Sequence, residues 1–176
     1  MQSDEQLMLE YQKGTAQAFE QLFQRYRNRI YRFFRRRLND VARAEDMAQE
    51  TFIVVLRGAE RYEPRAKFRT YLYAVALKLL WTERRKELRE SRAGAEPQEL
   101  SSDRDPSAVL WIRDALARLD PDHREVLMLR EYEQLSYDEI AELLKIPVNT
   151  VRSRLFRARA ELRALLEPQM TREASQ

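Results

Sequence analysis

Cysteine is absent from the chain, and histidine occurs once, as His123. The first absence removes disulfides, thiolate zinc sites, iron–sulfur clusters and cysteine nucleophiles. The second removes two-histidine metal sites and the paired Glu-x-x-His ligands of di-iron bundles. Glycine is nearly as scarce. Gly14, Gly58 and Gly94 stand far apart, so no glycine-rich phosphate loop or dinucleotide fingerprint can be assembled. No apolar run nears the ~20 residues that cross a bilayer. The opening MQSDEQLMLE has neither the basic nor the apolar region of a secretory signal. A cytoplasmic protein with no cofactor and no metal is expected, and most enzyme classes fall away.

What is present is helical and arginine-rich. The 176 residues are 44% hydrophobic, which suits one medium or two small globular domains rather than a disordered chain. Net charge is only +3, yet 27 of the 32 basic residues are arginine. Arginine forks onto phosphates and guanine edges better than lysine does. Arginine-favouring codon usage would give the same excess, so the distribution along the chain has to decide.

Leu, Ala, Glu, Arg and Gln dominate, all good helix formers, and no β-branched run is bounded by turn signals. Phe19, Leu22, Phe23, Tyr26, Ile30, Phe33, Phe34 and Leu38 recur at three- and four-residue steps, which predicts a long amphipathic helix. Its other positions hold seven arginines from Arg25 to Arg37 and no acid. A solvated face explains them most simply, and a phosphate- or acid-facing surface is the alternative. A second helix is expected from Ala44 to Ala59, with Glu45 and Asp46 in its first turn. Residues 61–67, with Pro64, read as a loop. A third helix runs from Phe68 to about Leu88.

Residues 89–107, RESRAGAEPQELSSDRDPS, carry five acids, three arginines and few large apolar residues, and read as a flexible acidic linker. Periodicity returns at Val109, Ile112, Leu116 and Leu119. After Asp120-Pro121 a helix is expected to Tyr132, with His123 at its surface. Ser136-Tyr137-Asp138-Glu139 spells a capping box that opens a helix to Leu144. After a turn at 145–148, Asn149 is placed to cap a last helix with Val151, Leu155, Ala158, Leu162 and Leu165 inward. The organisation expected is all-α: domains at 1–88 and 108–168, the linker between them, and a disordered tail at 169–176.

The helices at 136–144 and 149–165 form the strongest constellation. A capped helix, a short turn and a basic second helix fit a helix-turn-helix. Residues 131–142 hold five acids and no base, whereas residues 149–163 hold five arginines and one acid. At about 100° per residue, Leu155, Ala158 and Leu162 fall within about 40° of Val151. Opposite them lie Asn149, Ser153, Phe156 and Arg157, flanked by Thr150, Arg152 and Arg154. A major-groove reader needs such a face, because arginine forks to guanine, asparagine pairs with adenine and an apolar group meets the thymine methyl. Five phosphate contacts would give a log–log salt slope of about −4.5. Phe68, Tyr71, Tyr73 and Trp81 lie among Lys67, Arg69, Lys78, Arg84 and Arg85. That interleaving suits single-stranded DNA, although most of these rings are expected in the core. Glu45, Asp46 and Glu50 have no histidine or metal ligand nearby, so a protein-contacting face is favoured over acid–base catalysis.

AEDMAQETFIVVL (44–56), FRTYLYAVA (68–76) and LSYDEIAELLKIPVNTVRSRLFRARAEL (135–162) resemble the bacterial sigma factors of the extracytoplasmic-function group, over about residues 5–167. The resemblance implies a transcription initiation factor, not an enzyme. Its implied partners are RNA polymerase core, at the clamp helices and flap, and promoter DNA, both double- and single-stranded. An anti-sigma protein is a possible further partner, and no small-molecule substrate is implied. Asp46, Gln49, Glu50 and Phe52 match clamp-binding positions. Tyr62, Lys67, Phe68, Arg69 and Lys78, with the 61–67 loop, match the region that melts the −10 element and holds a flipped base. Asn149, Thr150, Arg152, Ser153, Phe156 and Arg157 match the helix that reads the −35 element, and Arg130 matches a DNA-contacting arginine before the capping box. Lys145 and Asn149 stand where glycine is common, Lys78 replaces a common asparagine, and Tyr71 replaces a common tryptophan. A left-handed backbone at Lys145 would be strained. The alternative from another class is a stand-alone helix-turn-helix regulator, against which the 44–56 motif argues.

Overall fold

The computed structural model describes residues 2–92 and 107–173. Every regular element among them is helical, and the chain divides into two compact units, residues 1–101 and 102–176. No described helix is long and apolar enough to cross a membrane.

The first unit opens with α1 (Asp4–Gln12), a helix that the hydrophobic periodicity does not announce. Ser3 Oγ accepts from the Gln6 N–H, and the Gln6 side chain accepts from the Ser3 N–H. This capping box satisfies two donors that the first turn would otherwise leave open. A helix this short does not persist alone in water. Leu7 and Met8 hold it down, both fully buried and each contributing about 1.5–3 kcal/mol. Gly14, at φ +99°, makes the turn into α2 (Ala16–Arg35), a conformation that costs glycine little.

Helix α2 buries the expected stripe from Phe19 to Phe34, apart from Phe23, which is half-buried. α3 (Val41–Gly58) starts earlier than its apolar pattern suggests, because Asp40 accepts from the Arg43 N–H and caps it. Glu45 and Asp46 therefore sit in its second turn, not its first. A 3-10 turn at Ala59–Arg61 leads through the loop to α4 (Phe68–Arg92), which continues past residue 88. Aromatic edges knit these helices: Phe23 to Phe52 at 5.0 Å, Tyr26 to Phe68 at 5.7 Å and Phe33 to Tyr73 at 5.6 Å. Such pairs add to area burial.

The second unit holds α5 (Ser107–Arg118), α6 (Pro121–Glu131), α7 (Tyr137–Leu144) and α8 (Val148–Glu173). Asp120 caps α6 by accepting from the N–H groups of Asp122 and His123, with Pro121 in the first turn, where its missing N–H costs nothing. Leu119, Val126, Leu129, Leu135, Ile140, Val151, Leu155 and Ala158 form the core. Leu162 and Leu165 are half-buried. Helix α8 runs through to Glu173, so residues 169–173 of the expected disordered tail are helical. Pro168 withholds one donor without ending the helix. Of the expected linker, residues 93–106 lie outside the described residues, as do residues 174–176 of the tail.

Two local expectations are corrected here. His123 is not a free surface side chain: its Nδ1 lies 2.8 Å from Glu161 Oε1, with the ring side chain 15% exposed. The pair ties the start of α6 to α8, a contact across 38 residues of sequence that local pattern cannot reveal. Asn149 does not cap α8 from outside. The helix starts at Val148, so Asn149 lies in its first turn and its Oδ1 accepts from Arg152 Nη1 at 3.2 Å.

Candidate nucleic-acid interface

The expected capping box is present in α7, with Ser136 and Glu139 bonding each other's backbone N–H. The helix ends at Lys145, at φ 54° and ψ 46°, the left-handed region anticipated for a glycine position. The Lys145 N–H still reaches the carbonyls of Ala141 and Glu142, so the terminal acceptors are satisfied at the cost of about 1–2 kcal/mol of backbone strain. Gln134, at φ 56°, is a second left-handed residue ahead of α7, unannounced by any turn signal.

That bend presents one face of α8. Asn149, Arg152, Ser153, Phe156 and Arg157 are exposed and Thr150 is half-buried, while Val151, Leu155 and Ala158 are buried on the opposite side. Phe156 is 76% exposed, an orientation that gains nothing for the fold. The helix's arginines divide into two sets. Arg154 donates to Asp122 Oδ2 at 2.5 Å and Arg159 to Glu131 Oε1 at 2.7 Å, both acids belonging to α6. Arg152 and Arg157 stay on the outer face. Arg130, matched in sequence to a DNA-contacting position ahead of the capping box, lies in the last turn of α6 and is half-buried. Its Nη1 donates to the Leu135 carbonyl at 2.9 Å and its guanidinium lies 5.3 Å from the Tyr137 ring centre. It holds the α6–α7 connection.

In the first unit, Asp46 and Gln49 are exposed on α3 and Glu50 is half-buried. Phe52, expected beside them as a contact, is 5% exposed and packs edge-on against Phe23. It serves the core and fixes the face rather than forming it. The residue on that face is its neighbour Ile53, 37% exposed. Asp46, Gln49 and Ile53 follow one another at i, i+3 and i+7, the spacing that aligns side chains along one helix side.

The third set lies at the start of α4. Phe68 is fully buried and Tyr62 is 6% exposed, so neither ring offers a free stacking face. Tyr62 packs against Phe68 and Tyr71 at 6.1 and 5.3 Å. Burial, reinforced by the negative charge of Glu5, pushes its phenol up to about 12. Around this aromatic floor Lys67 is exposed and Arg69 half-buried. Lys78 is exposed further along, and Trp81, 42% exposed, and Arg85 continue its side of the helix at i+3 and i+7. Trp81 is thus the outward ring of the aromatic group. The alternation of Lys78, Trp81 and Arg85 against buried Leu77 and Leu80 was the signal for it. Among the described residues no acid or histidine cluster is suited to a metal.

The chain matches the family models described as Sigma-70 region 2, over residues 22–90, and Sigma-70, region 4, over residues 110–162. It is 33% identical to the RNA polymerase sigma-H factor of Pseudomonas aeruginosa, over 98% of both chains. It is 36% identical to the RNA polymerase sigma factor CarQ of Myxococcus xanthus, over 90% of this chain and 95% of that one. It is 33% identical to the ECF RNA polymerase sigma factor SigW of Bacillus subtilis, over 88% and 91%. Among solved structures it resembles CnrH, determined with the cytosolic domain of CnrY. There the TM-score is 0.74 at 25% identity, covering 95% of this chain and 99% of that one. The chain belongs to the sigma-70 family, in its extracytoplasmic-function group.

Proposed function

We propose that the chain directs RNA polymerase core to its promoters by reading duplex DNA with α8, docking on the clamp through α3 and opening the −10 region with the 61–67 loop and α4. The observation that carries the reading is Phe156, 76% exposed between Arg152 and Arg157 on the helix that follows a capped helix and a left-handed turn. A large ring left mostly in water contributes little to the fold, and an arginine-flanked ring suits the thymine methyl in a major groove.

Each face has its own chemistry. Asp46, Gln49 and Ile53 offer an acid, an amide and an aliphatic group along one side of α3, a combination that fits a basic protein helix. Lys67, Arg69, Lys78 and Trp81 offer phosphate pairing and one stacking ring to a single strand. Tyr62 and Phe68 act beneath them as a floor. Flipping a base costs a few kcal/mol, which capture in a fitted site must offset. Family membership extends the partner set to an anti-sigma protein. The RpoE factor of Bartonella quintana, at 23% identity and a TM-score of 0.75, was solved with the anti-sigma factor NepR.

The test is transcription in vitro. The protein is mixed with sigma-free polymerase core and fragmented DNA of its own source, and transcript 5′ ends are mapped. Start sites sharing a motif, and lost when the protein is omitted, are expected. No new starts, with the core active under another sigma factor, would refute the reading. Asp46→Arg should weaken core binding while leaving the duplex affinity of α8 unchanged, and equal core affinity would remove Asp46 from the docking face.

A further inference from the structure

Helix α1 carries none of the contacts proposed above, yet it grips the 59–68 connection from both of its ends. At its C-terminal residue, Gln12 Nε2 donates to the carbonyls of Ala59 and Tyr62 at 2.7 and 2.8 Å. In its first turn, Glu5 Oε1 accepts from the Phe68 N–H at 2.8 Å, a donor that the start of α4 cannot satisfy internally. Between the two anchors, Glu63, Pro64, Arg65 and Lys67 are exposed. The anchoring helix is itself fixed. Asp4 accepts from the Tyr26 hydroxyl at 2.5 Å and from Arg25 at 2.6 Å, and Leu7 and Met8 are fully buried.

We infer that α1 is a strap that holds the 59–68 loop in its strand-opening shape, with Gln12 and Glu5 as positioning residues. The inference rests on the reading that this loop opens promoter DNA. A loop free at its ends loses conformational freedom when it grips a single strand, and that loss subtracts from capture. A loop already pinned at 59, 62 and 68 has less to lose. Gln12 suits the task because an amide supplies two N–H donors to two carbonyls. A carboxylate of the same shape would face those carbonyls with acceptors only.

The experiment uses the full chain with polymerase core on a promoter mapped as above, with 2-aminopurine at the opening position. Gln12→Glu should slow opening about tenfold, the scale of one to two part-buried hydrogen bonds, with closed-complex affinity unchanged. Gln12→Leu, which removes the donor without reversing it, should fall between. On a template with a pre-opened bubble both variants should initiate like the wild type. Wild-type opening rates on duplex, or an equal deficit on the bubble, would overturn the strap and leave α1 as a fold element only. Failure of the wild type itself to initiate would sink the proposed function, and that is seen before any variant is made.

Discussion

Replacing Phe156 by alanine separates an interface residue from a core residue on adjacent positions of one helix. Phe156 is 76% exposed and Leu155 is 1% exposed. A phenylalanine side chain offers about 150–250 Å², so roughly 50 Å² of Phe156 is covered in the free protein. At ~25 cal/mol per Å² its loss costs no more than about 1 kcal/mol of stability. Leu155→Ala, by contrast, should cost about 2–5 kcal/mol, because it opens a cavity. Binding reverses the order. Covering the exposed ring against a base edge is worth about 1–3 kcal/mol, the scale of one base-pair contact, or roughly a five- to 150-fold loss of promoter affinity for Phe156→Ala. Stability would be followed by urea unfolding through Trp111 fluorescence in a Trp81→Phe background, those being the two tryptophans. Affinity would be followed with polymerase core on the mapped promoter. Unchanged affinity, with stability lowered by more than about 1 kcal/mol, would show that the ring is supporting the fold and refute the reasoning.

Lys145→Gly should stabilise the second unit by about 0.5–1 kcal/mol, since relief of the left-handed strain exceeds glycine's added freedom in the unfolded chain. The Trp111 unfolding curve checks it, and no gain would mean that the cap is unstrained. Arg154 and Arg159 are already paired with Asp122 and Glu131, so about three phosphate contacts remain and the duplex-binding salt slope should lie near −2.7 instead of −4.5. Asp122→Asn with Glu131→Gln should steepen it, and a wild-type slope near −4.5 would show that DNA displaces both acids. Burial raises the Glu5 carboxyl, but hydrogen bonds from the Phe68 N–H, its own N–H and Ser3, with the Lys67 charge, outweigh that and leave it lowered. Its stabilisation is therefore complete above the ordinary carboxylate range and lost as pH falls through the lowered value. The stability gap between wild type and Glu5→Gln, followed through Trp81 in a Trp111→Phe background, should be constant near neutrality and close in acid. A gap that persists in acid would refute the assignment.

The two faces of α8 were legible because their evidence is local. Val151, Leu155 and Ala158 are buried and Asn149, Ser153, Phe156 and Arg157 exposed, as a single wheel places them. The turn before it was legible for the same reason, since a capping box and the left-handed Lys145 lie within ten residues of chain. Helix α1 escaped notice because it is short and its apolar pair, Leu7 and Met8, is adjacent instead of periodic. Its capping box at Ser3–Gln6 was the available signal. The pairing of Arg154 and Arg159 was out of reach, because a wheel shows where an arginine points and not what waits there. Asp122 and Glu131 lie 32 and 28 residues away from their partners.

The start of α4 shows the same boundary more sharply. Phe68, Tyr62 and Lys67 are neighbours in sequence, and the interleaving of rings and bases is visible from composition alone. Their setting includes α1, which lies against the 59–62 turn and the first N–H of α4 through contacts spanning 47, 50 and 63 residues. A floor of buried rings under a rim of Lys67, Arg69 and Lys78 is a tertiary property. Sequence periodicity reports one helix against one average core, so it cannot separate rings that stack on a partner from rings that stack on one another. Trp81 marks the difference. It lies at i+3 from Lys78 and opposite the buried Leu72 stripe, so its exposure was within reach of the same wheel that found Phe156.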